Sequence, residues 1–290
     1  MSEAHRPFTI DDGSVSTESI ARWRDHHWIH EEDQLAVEIP VALEFNGVSH
    51  AVMLATPCDL ASFALGFALS EGIVDNRADF YTATVEQSAP GILVHCTIAD
   101  HAFQKLGDRR RNMTGRTGCG LCGVESLDQV FRALPSRQDI TAENARISIS
   151  ALRTALNNLA SMQPINRVTG GMHAAAWSAP DGALMQVCED VGRHNALDKL
   201  IGRMTEQNLE FQDGFLLITS RASVEMVQKA ATVGIQCLVA ISAPTALAVE
   251  TAKAAGMTLI AFARGDRFVA YAHADRITVT DQSIQINQYK

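Results

Sequence analysis

A chain of 290 residues, 47% of them apolar and 20% charged, carries enough apolar material for one large core or two unequal ones. Its 24 Lys and Arg against 33 Asp and Glu give a net charge of −9, which excludes a general nucleic-acid binder whose affinity rests on neutralising phosphates. No apolar run reaches the ~18 residues of a membrane helix, and Met1–Pro7 lacks the basic-then-apolar order of a secretory signal, so a soluble cytoplasmic protein with no membrane partner is expected.

Residues 1–30 are polar, with Trp23, His26, His27, Trp28 and His30 close together, and read as a weakly ordered extension; the histidine spacing matches no standard metal-ligand pattern. Residues 31–123 form an N-terminal β-rich part. Val41–Phe45 and Val48–Leu54 flank Asn46-Gly47, the favoured pair for a tight type I′ hairpin turn. Thr56 is expected to cap a helix with Pro57 in its first turn, running to about Glu71 and stopped by Gly72. Phe80–Glu86 and Gly91–Ile98 read as two further strands. A loop over 105–123 follows, first basic (Lys105, Arg109, Arg110, Arg111 and Arg116 against Asp108), then glycine-rich. Such a basic patch on an acidic protein suits one anionic partner.

Residues 124–290 read as an α/β domain. Helices are expected at 124–134 and 150–160. From about 165, strand-like runs (172–178, 183–189, 215–219, 236–241, 257–262, 267–272) alternate with helical ones (192–206, 222–233, 244–255). Short links between them imply a sheet that is at least partly parallel and covered by helices.

Of the six cysteines, Cys58, Cys96, Cys188 and Cys237 sit in apolar surroundings and read as small core hydrophobes. Cys119 and Cys122 differ, because Gly118, Gly120 and Gly123 flank them. Nearby arginines favour the thiolate, the form that attacks a disulfide or persulfide sulfur. A Cys-x-x-Cys pair can also be half of a zinc site, although no second pair of ligands stands at finger spacing. Thiol chemistry, metal binding and a structural role all remain open on these residues alone.

A second constellation gathers at strand ends. Thr219-Ser220-Arg221-Ala222-Ser223, Ser242-Ala243-Pro244-Thr245 and Phe262-Ala263-Arg264-Gly265-Asp266-Arg267 each follow an apolar strand. In a parallel sheet all three emerge on one edge, where open α/β sheets bind ligands and helix N–H groups favour phosphate. Hydroxyls and three arginines then make a phosphate or nucleotide site; the competing role for Ser and Thr is helix capping. Glu189–Lys199 is polar between a strand and an apolar helix, and its His194, with His173 upstream, flanks a candidate pocket.

Together, Ala64-Leu65-Gly66-Phe67, Ser70-Glu71-Gly72, Cys119-Gly120-Leu121-Cys122-Gly123, Thr169-Gly170-Gly171, His173-Ala174-Ala175, Glu189–Ala196, Ser220–Ser223 and Ser242–Pro244 resemble the FdhD family of formate dehydrogenase accessory sulfurtransferases, over about residues 31–275. The resemblance implies a cytidine-deaminase-like α/β/α sandwich with an added N-terminal β-rich part. It implies that a cysteine desulfurase passes persulfide sulfur to Cys119, with Cys122 as second loop cysteine. The sulfur then goes to the molybdenum of bis(molybdopterin guanine dinucleotide), which is delivered to the formate dehydrogenase catalytic subunit. Phe262–Arg267 match the segment that binds this cofactor, and a homodimer is implied. Hydroxylated residues usual before the first cysteine are here Thr117-Gly118, and the deaminase zinc signature is absent, since His173 precedes Ala174-Ala175 and Gly118 precedes Cys119. A cofactor-binding chaperone without sulfur chemistry is the alternative.

Overall fold

A computed structural model describes residues 13–111 and 146–279. Cys119, Cys122 and the helix expected at 124–134 lie outside them. The described residues form two compact units: 13–111, 160–175 and 187–209 make the first, and 146–159, 176–186 and 210–279 the second.

The first unit opens with a hairpin where a weakly ordered extension was expected. Strands β1 (Val15–Arg24) and β2 (His27–Ala36) pair antiparallel over ten consecutive positions around a turn at Asp25 and His26, both at positive φ. The polar composition misled because no residue of either strand is fully buried, so the ribbon needs little apolar sequence. Cross-strand contacts hold it: Trp23 and Trp28 meet edge-on at 5.3 Å, and Arg22 pairs with Glu31 and Asp33. Its base, Val15 and Ala36, packs on Cys58, Ile165 and Met172.

A four-stranded sheet follows, in the order β4-β3-β6-β5, built from β3 (Ile39–Phe45), β4 (Val48–Ala55), β5 (Phe80–Ser88) and β6 (Gly91–Ile98). The Asn46-Gly47 turn joins β3 to β4 as expected, with φ of 47° and 78°. Val41, Leu43, Phe45, Ile92, Val94 and Ile98 form a core with Phe63, Ala64 and Phe67 of helix α1 (Leu60–Ser70). On the other side of the sheet His95 bridges Glu44 and Glu86, whose carboxylates raise its pKa.

Helix α1 starts later than expected. Its cap is Asp59, in the left-handed region, and Thr56 is used elsewhere. The basic half of the expected loop is also helical: α2 spans Asp100–Arg111, and Lys105 pairs with Asp75 at 2.8 Å. Helix α4 (Pro164–Thr169) and helix α5 (Arg193–Glu206), from the part read as the C-terminal domain, complete the first unit. Helices α1 and α5 cross with their backbones almost touching: Gly66 faces the Asp198 carbonyl and Gly202 faces that of Ser62.

The second unit contains helix α3 (Ile149–Leu159) and a short parallel pair, β7 (Ile147–Ser148) with β14 (Ile277–Thr278). The main sheet has the order β13-β12-β11-β10-β8-β9. It uses β8 (His173–Ser178), β9 (Leu184–Asp190), β10 (Phe215–Ile218), β11 (Cys237–Ala240), β12 (Thr258–Arg264) and β13 (Arg267–Ala272). Of β8 and β9, residues 176–178 and 184–186 belong to this unit and the rest to the first. β10, β11 and β12 run parallel, and all four residues of β10 and of β11 are buried, so their sequences are uniformly apolar instead of alternating. Helices α6 (Val224–Thr232) and α7 (Ala246–Ala254) are the crossovers. No described helix is long and apolar enough to cross a membrane.

Candidate functional site

Because β10, β11 and β12 are parallel, the loops after them leave the same edge of the sheet, as the sequence predicts. Backbone hydrogen bonds join these loops in series. The Ala222 N–H donates to the Ala243 carbonyl (3.1 Å), the Thr245 N–H to the Ala222 carbonyl (3.0 Å) and the Phe262 N–H to the Ser242 carbonyl (3.1 Å). Thr245 caps α7 by accepting from the Ala248 N–H at 3.3 Å. Ser223 occupies the cap position of α6, but its hydroxyl donates to Glu225 instead (2.7 Å). Ser220 is buried and bonds the Arg221 carbonyl at 3.1 Å, so it shapes the loop. Thr219 and Ser242 are half-buried at the same strand ends.

The third loop breaks the sheet's regularity. β12 shifts register between Ala261 and Arg264, and Phe262 sits at φ 52°, 46% exposed, with its ring 6.5 Å from that of Tyr271. Ala263 is fully buried, so it offers no surface to a ligand. Gly265, at φ 56°, makes the turn that sets Arg264 directly opposite Arg267. Like charges in that relation repel. Asp266 beside them is engaged by Arg153 at 2.6 Å. Arg221, Arg264 and Arg267 are exposed and make no ion pair among the described residues. Three exposed guanidiniums stand here next to hydroxyls and helix N–H groups, the groups by which an edge of this kind can hold an anion.

His194 belongs to the first unit, on the first turn of α5. Around it the Glu189–Lys199 segment builds a buried polar network. Lys199 and Asp190 are both 0% exposed and pair at 2.6 Å. The Lys199 ammonium also donates to the Thr56 carbonyl (2.9 Å) and to Cys58 Sγ (3.4 Å). The Asp190 carboxylate further accepts from the N–H groups of Thr56 (3.1 Å) and Gly192 (2.7 Å) and from Asn195 Nδ2 (3.0 Å). The Thr56 hydroxyl, expected at a helix cap, accepts instead from the Val191 N–H at 3.2 Å. Arg203 pairs with Asp59 at 2.6 Å. Burial alone would lower the Lys199 pKa, but Asp190 and Cys58 outweigh it and hold the ammonium charged. Burial raises the Glu189 carboxyl, against the N–H groups of Asn166 and Ile165 that bond it. His173 is pushed down by burial and by Arg193, so its neutral form is favoured.

Sequence reasoning missed Lys199, Thr56, Asp59 and Arg203. The available signal was a charged pair, Asp198-Lys199, set between Leu197 and Leu200 in the middle of a helix. The four cysteines read as core residues are buried, and burial pushes the Cys96 and Cys237 thiols up to about 12, which makes them inert.

These features define a mixed α/β protein with exposed arginines on parallel strand ends. The family model described as FdhD/NarQ matches residues 36–278. The chain belongs to the FdhD/NarQ family. A sulfur carrier protein FdhD of Variovorax paradoxus (strain S110) is 51% identical over 245 residues, covering 84% of this chain and 87% of that protein. One of the same name from Cupriavidus necator is 49% identical over 263 residues, covering 90% of each. The fold matches that of a crystal structure described as a formate dehydrogenase accessory protein of Desulfotalea psychrophila, with TM-score 0.68 and 19% identity, over 91% of this chain and 99% of the other.

Proposed function

We propose that this protein is a sulfur carrier in formate dehydrogenase maturation, acting as a sulfurtransferase through Cys119. The observation that carries the reading is the family match over residues 36–278, a span that includes Cys119-Gly120-Leu121-Cys122, together with relatives about half identical that bear the sulfur-carrier name. In the first step the Cys119 thiolate attacks the outer sulfur of a persulfide on a cysteine desulfurase. The donor's S–S bond breaks, its cysteine leaves as thiolate, and Cys119 holds the persulfide. In the second step the S–S bond on Cys119 breaks, Cys119 leaves as thiolate, and the outer sulfur becomes a sulfide on the molybdenum of bis(molybdopterin guanine dinucleotide), the substrate, whose metal centre supplies the two electrons, before that cofactor enters the formate dehydrogenase catalytic subunit.

The strand-end edge suits the anionic arms of this substrate. Arg221, Arg264 and Arg267 are available to phosphate, and the exposed Phe262 ring offers a flat face to a base.

After incubation with a cysteine desulfurase and cysteine, intact mass should increase by one sulfur atom, mapped to Cys119 and absent in Cys119→Ala. In cells the same variant should fold yet leave formate dehydrogenase inactive. A protein that supports active formate dehydrogenase without any sulfur on Cys119 would be a chaperone for the cofactor, and the transfer reading would fail. Independently, Arg264→Ala/Arg267→Ala should weaken guanine nucleotide binding by about a hundredfold or more, as expected for loss of two charge-assisted hydrogen bonds of ~1.5–3 kcal/mol each. Calorimetric titration with GDP reads this, and unchanged affinity would remove these arginines from the site.

A further inference from the structure

Asp266 stands in the turn between Arg264 and Arg267, which the strand register sets opposite each other. It adjoins Arg267 in sequence and lies two residues from Arg264. A carboxylate at this place is a ready counter-charge for either guanidinium. Left to itself it would compete with a phosphate group for both arginines, and it would repel that phosphate directly. Yet Asp266 pairs with neither. Its Oδ1 is held by Nε of Arg153 at 2.6 Å, and Arg264 and Arg267 make no ion pair among the described residues.

Arg153 comes from a different element of the same compact unit. Helix α3 is fixed by its buried residues Ala151, Leu152, Ala155 and Leu159, and Arg153 lies on its exposed side. Among the described residues Asp266 is its one ion-pair partner. The side chains of Arg153 and Asp266 are 47% and 75% exposed, so the pair adds little to the stability of the fold. What it decides is where the negative charge of the turn resides.

We propose that Arg153 is a positioning residue for the arginine turn: by holding the Asp266 carboxylate, it keeps Arg264 and Arg267 open to the phosphates of a guanine nucleotide. The inference rests on the strand-end edge being the nucleotide site. Arg153 acts through Asp266 and does not itself touch the nucleotide.

Calorimetric titration of the full chain with GDP tests this through a double-mutant cycle. Arg153→Ala should weaken GDP binding about fivefold, the scale of one exposed ion pair set free to compete. Arg153→Lys should recover most of that loss, because an ammonium can still engage the carboxylate. In an Asp266→Asn background, Arg153→Ala should have no effect, because no carboxylate is left to release. If Arg153 were a direct phosphate ligand, or served only to steady α3, its loss would weaken binding equally in both backgrounds, and that result would overturn the proposal. A wild type that binds GDP through Arg264 and Arg267 but is indifferent to Arg153→Ala would overturn this inference alone. A wild type without affinity for GDP would overturn the nucleotide site and this inference with it.

Discussion

Gly66→Ala should destabilise the protein by more than about 3 kcal/mol, read as a lowered urea midpoint. A Cβ at Gly66 would stand 1.7 Å from the Asp198 carbonyl oxygen and 2.7 Å from the Gly202 nitrogen, and one at Gly202 would stand 1.9 Å from the Ser62 carbonyl oxygen. These obstacles are backbone atoms, which cannot rotate aside as a side chain can. Accommodation requires α1 and α5 to move apart, and that would open a crossing where both helices are largely buried. Alanine gains up to about 1 kcal/mol of helix propensity over glycine, too little to compensate. Gly202→Ala should behave alike. Gly107, on α2, has open space where a Cβ would be, so Gly107→Ala should be neutral or slightly stabilising. Equal midpoints for Gly66→Ala and Gly107→Ala would refute the close crossing.

Lys199→Met should cost about 3–5 kcal/mol, because methionine keeps the volume and leaves the Asp190 carboxylate buried without its counter-charge. The Thr56 carbonyl loses its donor as well. Adding Asp190→Asn should restore part of the loss, since the amide oxygen in the place of Oδ1 can still accept from Gly192 and Asn195 while no charge is stranded, and only the Thr56 N–H on the other side loses its acceptor. The effects of the two substitutions should therefore be clearly less than additive in a double-mutant cycle. Additive effects would mean that the two side chains do not act as a unit.

Legibility in the sequence followed physical locality. The Asn46-Gly47 turn, the buried strands β10–β12 and the three loops after them were readable because turn chemistry and apolar runs act over a few residues. Lys199 was not readable as a partner of Thr56, since its contacts span 143 residues and no local pattern encodes them. Thr56-Pro57 carries the local signature of a helix start, yet the Thr56 hydroxyl serves Val191 and the helix begins at Leu60. The ribbon at 15–36 was missed because its cohesion lies in cross-strand pairs, which leave no apolar period. Within the candidate edge, Arg221, Arg264 and Arg267 stand where expected, whereas Ala263 and Ser220 are turned into the structure. Cys119 and Cys122 lie outside the described residues, and their assignment rests on the sequence and the family.

The hydrogen bonds that run from Phe262 to Ser242 and between the Ala222–Ser223 and Ala243–Thr245 segments bear on affinity. Loops bound to one another lose their conformational freedom when the chain folds. An anion that settles on this edge would therefore spend little of its interaction energy on ordering backbone. Its affinity should follow the arginine side chains, which still have rotamers to lose, and substitutions that unfasten one loop should slacken its neighbours too.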